Sequence, residues 1–459
     1  MRSFLGVVTF LFAAVASAVS TKGNRLLVLL DDVAEKDGYA KFLGDLTARG
    51  YQIVYDTPRS EKLSLFELGE RQYDHLLFLP TKVKGLGPKL TPNILIDFVN
   101  AEGNILVAQS STHSASTSIG NFLAELDITL PAGRTGLVVD HFNYDTITAS
   151  EKHDVLVLDA PEPVRDSVKS FFSPSADAVL ALPNTVGHTL GAGHLLTPIL
   201  RAPSTAYSYN PKEQFDAVDA DDLFAAGKQL SLVSVFQARN SARVTVLGSA
   251  EMISDSWIEA KVSRPEGSKV AVANREFAKA LTGWTFQELG VLRVNEVEHR
   301  LTGDNETNPG IYRVKTDVTY AISISEYVWD SWKPYNLPEN DAIQLEFSML
   351  SPFHRLDLSP VSVAKDATVF GTSFILPDQH GIFNFRVNYK RPFLSVVDEK
   401  HTVSVRHIAH DEWPRSFVIS GAWPWISGIG ATVTGFLAFC AVWVYSKPTP
   451  KAGKAKKTQ

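Results

Sequence analysis

The chain reads as an α/β region followed by an all-β region and one membrane-crossing helix. Three observations predict this class. Up to about residue 290, short apolar runs alternate with helical patterns, which implies βαβ units around a parallel sheet. From Val291 onward, strand-like segments follow one another with turn clusters between them, the pattern of a β-sandwich. Near the C-terminus, Trp425 to Tyr445 carries no charge, and about twenty such residues cross a hydrocarbon core of roughly 30 Å.

The elements follow in order. Met1 and Arg2 precede an apolar run from Phe4 to Val15 and the triplet Ala16-Ser17-Ala18. Residues 1–18 therefore form a secretory signal peptide, cleaved after Ala18. Arg25 to Leu30 is a continuous apolar run ending in Asp31-Asp32, as in a strand buried on both faces. A helix over Tyr39 to Arg49 closes at Gly50. Strands follow at Tyr51 to Tyr55 and His75 to Leu79, the second stopped by Pro80. Pro92 to Val99 is helical, and Asn104 to Gln109 is the next strand. Val155 to Leu158, Leu230 to Phe236 and Ala242 to Leu247 add further strands. Asn274 to Leu289 is a helix with Phe277, Leu281 and Trp284 on one face. The α/β region thus spans 19–290, with a candidate subdomain break near 160–170.

In the all-β region, 291–412, strands are expected at Val291 to Val297, Tyr312 to Val328, Ala342 to Leu350, Val369 to Leu376, Ile382 to Tyr389 and His401 to Ile408. Asn308-Pro309-Gly310 and Pro377-Asp378-Gln379 punctuate them. A linker, 413–424, leads to the transmembrane helix, 425–446. Trp423, Trp425, Trp443 and Tyr445 mark its two ends, where amphipathic rings prefer the interface. The tail, 447–459, holds five lysines and no acid, so it faces the cytoplasm and the body faces the lumen. Lys456 and Lys457 stand fourth and third from the end, the spacing of a di-lysine signal that returns type I membrane proteins to the endoplasmic reticulum. Such a signal is read by a receptor and does not anchor.

Composition excludes several functions. The net charge is -6, and setting aside Arg2 and the tail lysines leaves 38 basic against 50 acidic residues. A body near -12 does not bind nucleic acid, which needs a basic footprint. The one cysteine, Cys440, lies inside the span. The body therefore has no disulfide and no thiol nucleophile, and its stability comes from packing.

There is no G-x-S-x-G elbow, no H-E-x-x-H and no P-loop. Asp31 and Asp32 end the first strand, where open α/β sheets bind ligands, but the same pair also suits a helix cap. Gly187 to His194 offers His188 and His194 between glycines. A metal would need further ligands, and a glycine loop accounts for the pattern equally. Asp219 and Asp221 have the D-x-D spacing of some metal-dependent glycosyltransferases, yet an acidic helix start explains them too. Asn305-Glu306-Thr307 is a sequon, so Asn305 is the N-glycosylation candidate. Ser427, Ala431, Gly435 and Ala438 put small side chains on one face of the span, which lets a second helix approach closely. An endoplasmic reticulum cargo receptor and a metal-dependent enzyme of that compartment are the alternatives left by these residues alone.

Four segments carry a family resemblance: Asn24 to Asp32, Tyr73 to Pro80, Asp97 to Val107, and Asn308 to Lys315. With the membrane-proximal segment and the di-lysine tail, they resemble the single-pass subunit of the eukaryotic oligosaccharyltransferase complex, the Wbp/DDOST type, over essentially the whole mature chain. The resemblance implies a non-catalytic subunit of a complex that moves a preassembled oligosaccharide from dolichyl diphosphate to Asn in Asn-x-Ser/Thr. It implies no catalytic residue and no cofactor in this chain; a divalent metal belongs to the complex's catalytic subunit. It further implies as partners the multi-pass catalytic subunit and the ribophorin I-like, ribophorin II-like and DAD-like subunits. The α/β half resembles amidotransferase-like and flavodoxin-like domains but lacks the cysteine that amidotransferase chemistry needs.

Overall fold

The computed structural model describes residues 19–134, 136–148, 153–161, 170–173, 178–210, 223–265, 267, 269–412 and 420–448. The expected signal peptide, Asp219, Asp221, Lys456 and Lys457 lie outside them, as does much of the 160–170 segment.

The first half is built on a seven-stranded sheet. β1 (Arg25–Leu29), β2 (Gln52–Asp56), β3 (His75–Phe78) and β4 (Asn104–Ala108) run parallel. The helices α1 (Ala40–Ala48), α2 (Pro92–Asn100) and α3 (Thr117–Glu125) lie in the same stretch of chain. The chain then adds β5 (Leu196–Arg201), β6 (Ser231–Gln237) and β7 (Arg243–Leu247). The order across the sheet is β5-β6-β7-β4-β3-β1-β2. β7 joins β4 in parallel, and β6 alone runs the other way. The strands are apolar on both faces because both are covered. Leu26 and Val28 enter one core, while Leu27 and Leu29 enter another with Leu95, Phe98 and Phe122. A separate hairpin, Val155–Asp159 with Val179–Pro183, packs Val157 and Ala181 against Val262 and Val272.

α4 (Asn274–Thr285) ends sooner than the sequence pattern suggests. Gln287 and Gly290 take φ of +63° and +66°, which a helix cannot continue through. Leu289 instead opens β8 (Leu289–Leu301). A side chain at position 290 would meet the Phe393 carbonyl, so glycine is required by both space and backbone.

The second half is a nine-stranded curled sheet. Its long members are β8, β10 (Asp317–Val328), β11 (Ile343–Ser348), β12 (Pro352–Val363), β13 (Thr368–Ile375), β14 (Gly381–Tyr389) and β15 (Val397–Arg406), with the short β9 (Ile311–Arg313) beside β15. β12 pairs with β11 through its first residues and with β13 through its last, so the sheet folds over itself around one core. Tyr320, Phe347, Phe385 and Val387 fill that core. β12 is not evident from sequence, since Pro352 and Pro360 punctuate it. Pro360 sits beside a register shift, where a missing N–H is tolerated.

The halves meet at the amino-terminal edge of the parallel sheet. Arg243, at the start of β7, is fully buried. Its guanidinium donates to the carbonyls of Trp284, Leu289 and Gly290 at 2.5, 2.6 and 2.7 Å and lies 4.5 Å from the Trp284 ring centroid. Trp284 Nε1 donates in turn to the Phe393 carbonyl, 2.7 Å. Gln237 Nε2 donates to the Leu394 carbonyl, 2.6 Å, and the Val396 N–H donates to Ser241 Oγ, 3.1 Å. A second tie is Glu288, which accepts from Arg49 and Tyr51 while its carbonyl accepts the Trp329 N–H.

α5 (Trp423–Tyr445) is apolar and exposed along its length.

Replacing Arg243 removes three charged-donor hydrogen bonds from this junction, each worth about 1.5–3 kcal/mol, while the Trp284 and Gly290 carbonyls keep the Gln287 and Ser395 N–H groups. We expect Arg243→Met to lower stability by roughly 3–5 kcal/mol. Arg243→Lys recovers little, because an ammonium lacks the guanidinium fork. Denaturant unfolding of the purified chain, followed by tryptophan fluorescence, measures both.

Candidate functional site

Three places merit a chemical reading. The first is the carboxyl edge of the parallel sheet, where the order reverses between β1 and β3 and open α/β folds hold their ligands. Asp32 lies there, and its carboxylate accepts the Ala34 N–H at 3.1 Å, capping the short helix Val33–Tyr39. The capping reading of that residue is the one realised. After β4 comes a polar cluster that the sequence patterns did not single out. Ser110 Oγ donates to Glu251, Thr112 Oγ1 lies 2.7 Å from Ser110 Oγ, and His113 Nδ1 lies 2.8 Å from Thr112 Oγ1. Gln109 is buried with both amide atoms unpartnered, and Glu251 Oε2 is unpartnered as well. Burial pushes the Glu251 carboxyl above its usual range, against the hydrogen bonds that pull it down. The cavity beside the cluster holds about 20 Å³. That is room for about one water. The cluster's signal was the polar run Gln109 to Ser114 straight after a buried strand, but Glu251 reaches it from 141 residues away.

The second place is a groove of about 260 Å³ between the halves, lined by Gln237, Arg239, Trp284, Lys390, Phe393 and Val396 among others. His194 reaches this groove, whereas His188 is buried in the sheet with Nε2 2.6 Å from Ser234 Oγ. The two histidines expected to share a loop therefore do not converge. Among the described residues, no three His, Cys, Asp or Glu side chains are grouped to hold a metal. The groove lining contains cations, an amide and aromatic rings but no carboxylate.

His141 and His153, also missed, bring their Nδ1 atoms to 2.8 Å, with Tyr207 OH 3.1 Å from His141 Nε2 and Tyr144 stacked on His153. One ring donates and the other accepts, which makes the pair a structural clasp.

The third place is α5. Ser427, Ala431, Gly435 and Ala438 are all exposed on it. Gly435 has no heavy atom within 4 Å of where a Cβ would stand, and Ser427 Oγ donates to the Pro424 carbonyl at 3.0 Å. Asn305 lies in the exposed loop between β8 and β9, where its N–H donates to Asp304 Oδ1, 2.7 Å.

These features define a single-pass membrane protein with a two-part body. The OST48, N-terminal domain family matches residues 17–288, and the OST48 middle domain family matches 299–447. The chain belongs to the OST48 family. It is 34% identical to the dolichyl-diphosphooligosaccharide–protein glycosyltransferase subunit wbp1 of Schizosaccharomyces pombe, over 93% of this chain and 94% of that one. It is 33% identical to the 48 kDa subunit of the same transferase from Caenorhabditis elegans, over 94% and 93%. Against the subunit WBP1 of Saccharomyces cerevisiae the identity is 30%, over 96% and 95%.

Burial sets the body's pH response. It pushes His188 down to about 3, and His75 and His299 down to about 4. Each is neutral when folded and takes a proton on unfolding once the pH falls below about 6.5. Stability is therefore lost from there downward. Glu251 and Glu288, raised by burial, act in the opposite sense. We expect His188→Gln to flatten the fall in unfolding free energy between pH 6.5 and 5 by on the order of 1–2 kcal/mol, read from denaturant midpoints across that range.

Proposed function

We propose that the chain is a non-catalytic subunit of the oligosaccharyltransferase complex, required for its assembly and activity. The observation that carries this is the carboxyl edge of the sheet. The position that holds substrate in related architectures is filled by Gln109, Ser110 and Glu251 around a void for one water. The opposite edge is given over to joining the two halves. Similarity to named subunits of the transferase over nine-tenths of the chain supports the same reading.

The body would lie in the lumen of the endoplasmic reticulum, with the tail and its Lys456-Lys457 signal in the cytoplasm. Asn305 would carry a glycan, being exposed in a loop. The small-residue face of α5 would meet another membrane helix. Its neighbours would be the multi-pass catalytic subunit, which supplies the divalent metal, and the ribophorin I-like, ribophorin II-like and DAD-like subunits.

Gentle-detergent purification with mass spectrometry, joined to an assay of glycan transfer to an Asn-x-Thr peptide, tests this. Co-purification of a multi-pass transferase is expected, with turnover unchanged in Asp31→Ala, Asp32→Ala and Ser110→Ala. A chain that purifies alone, or an aspartate variant that loses turnover within an intact complex, refutes it. Gly435→Leu should weaken recovery of the partners, by about 1 kcal/mol of helix association, without changing membrane insertion. Asn305→Gln should abolish the mobility shift produced by endoglycosidase.

A further inference from the structure

The end of the all-β half from which the chain leaves for α5 is unusually apolar. β15 finishes at Arg406, and Glu412 is the last described residue before the segment 413–419. Hydrogen bonds and contacts gather several other strand ends at the same place. Gly381, at the start of β14, pairs with Val405 and packs under Met349 of the β11–β12 hairpin. The Leu376 N–H after β13 donates to the Thr316 carbonyl before β10, 2.9 Å. The His380 and His407 rings lie 4.1 Å apart. Five large apolar side chains stand out from this end: Ile311, Leu350, Phe353, Ile375 and Ile382, between 42% and 99% exposed. Ile382 and Ile311 flank Ser404 on neighbouring strands, and Leu350 crowns the hairpin with nearly its whole side chain free.

The cations of this end are already engaged. Arg406 and Arg313 lie on Glu412, and Lys315 on Asp378 at 2.7 Å. An anionic partner is not what the rim invites. The chain itself limits what can lie beneath it. Seven residues join Glu412 to Ser420, a reach of at most about 29 Å when fully extended. α5 then begins with Trp423 and Trp425, rings that settle at the membrane–water interface.

We propose that this apolar rim rests on the bilayer surface, with Leu350 and Phe353 entering the boundary between headgroups and acyl chains. The surface is hydrophobic and charge-balanced, so the contact depends on apolar burial and not on anionic lipid. The span and this rim then form two attachments to one membrane, which hold the body upright over it. The inference rests on the reading of α5 as a membrane span.

The test places benzoylphenylalanine by codon suppression at position 350 in the full-length protein, irradiated in its native membranes. A second position, 382, repeats it at the same end. Position 363, exposed at the far end of β12, is the control. Mass spectrometry identifies the adducts. Lipid adducts at 350 and 382 and none at 363 are expected. Adducts to protein alone, no adducts, or equal lipid adducts at all three positions overturn the proposal. Extraction at alkaline pH separates the two readings. A chain that stays in the membrane pellet without lipid adducts refutes the rim contact alone, whereas a chain released to the supernatant refutes the span.

Discussion

Arg243 is the residue on which the two halves depend. A guanidinium buried without a carboxylate is expensive, since its charge has left water. Here the cost is offset by three carbonyls and a tryptophan face. Those carbonyls belong to the end of α4 and the start of β8, the turn where the α/β half becomes the all-β half. Burial pushes the Arg243 pKa down to about 9, still charged at neutral pH. One side chain thereby fixes the helix terminus, the sharp turn at Gly290 and the entry of the long strand. The same edge carries a polar chain through the starts of three parallel strands. Asn104 Nδ2 donates to His75 Nδ1, and Asn104 Oδ1 accepts from the Arg243 N–H and Gln287 Nε2. That arrangement makes His75 Nε2 the donor to the Gly23 carbonyl, 3.0 Å.

The two edges of the sheet are used differently. A parallel sheet has two chemically different edges. Its carboxyl edge offers the space for ligands, and its amino edge seldom does. Here the amino edge is spent on the interface and the carboxyl edge is closed by packing. The sheet thereby serves as the platform for the junction between the two halves.

Much of the fold was legible because burial on both faces leaves continuous apolar runs, as in Arg25 to Leu30 and His75 to Leu79. The alternation in β10 and β14 was equally plain, since one face of each is wet. β12 was hidden because it is exposed almost throughout and its register is set by neighbours. Its own pattern carries little signal. The early end of α4 was hidden because Gln287 adopts a positive φ that no pattern in the sequence marks. The polar groups at the sheet edge were not singled out, although Gln109 to Ser114 is a polar run after a buried strand. Glu251 was hidden as well, because its contact with Ser110 depends on a pairing between distant strands. The span's small-residue face was readable directly, since helical spacing alone defines it.

The pairing of β4 with β7 joins Ile105 to Val244, about 140 residues later in the chain. Long-range closure of this kind is slow. A nascent chain emerges at roughly 5–20 residues per second, so β4 waits for its neighbour for about 7–30 seconds. The Arg243 junction waits longer still, until Phe393 has emerged to receive Trp284. Throughout that interval the hydrophobic edge of β4 is open to chaperones and to mispairing. The architecture therefore ties the maturation of the body to its near-complete synthesis.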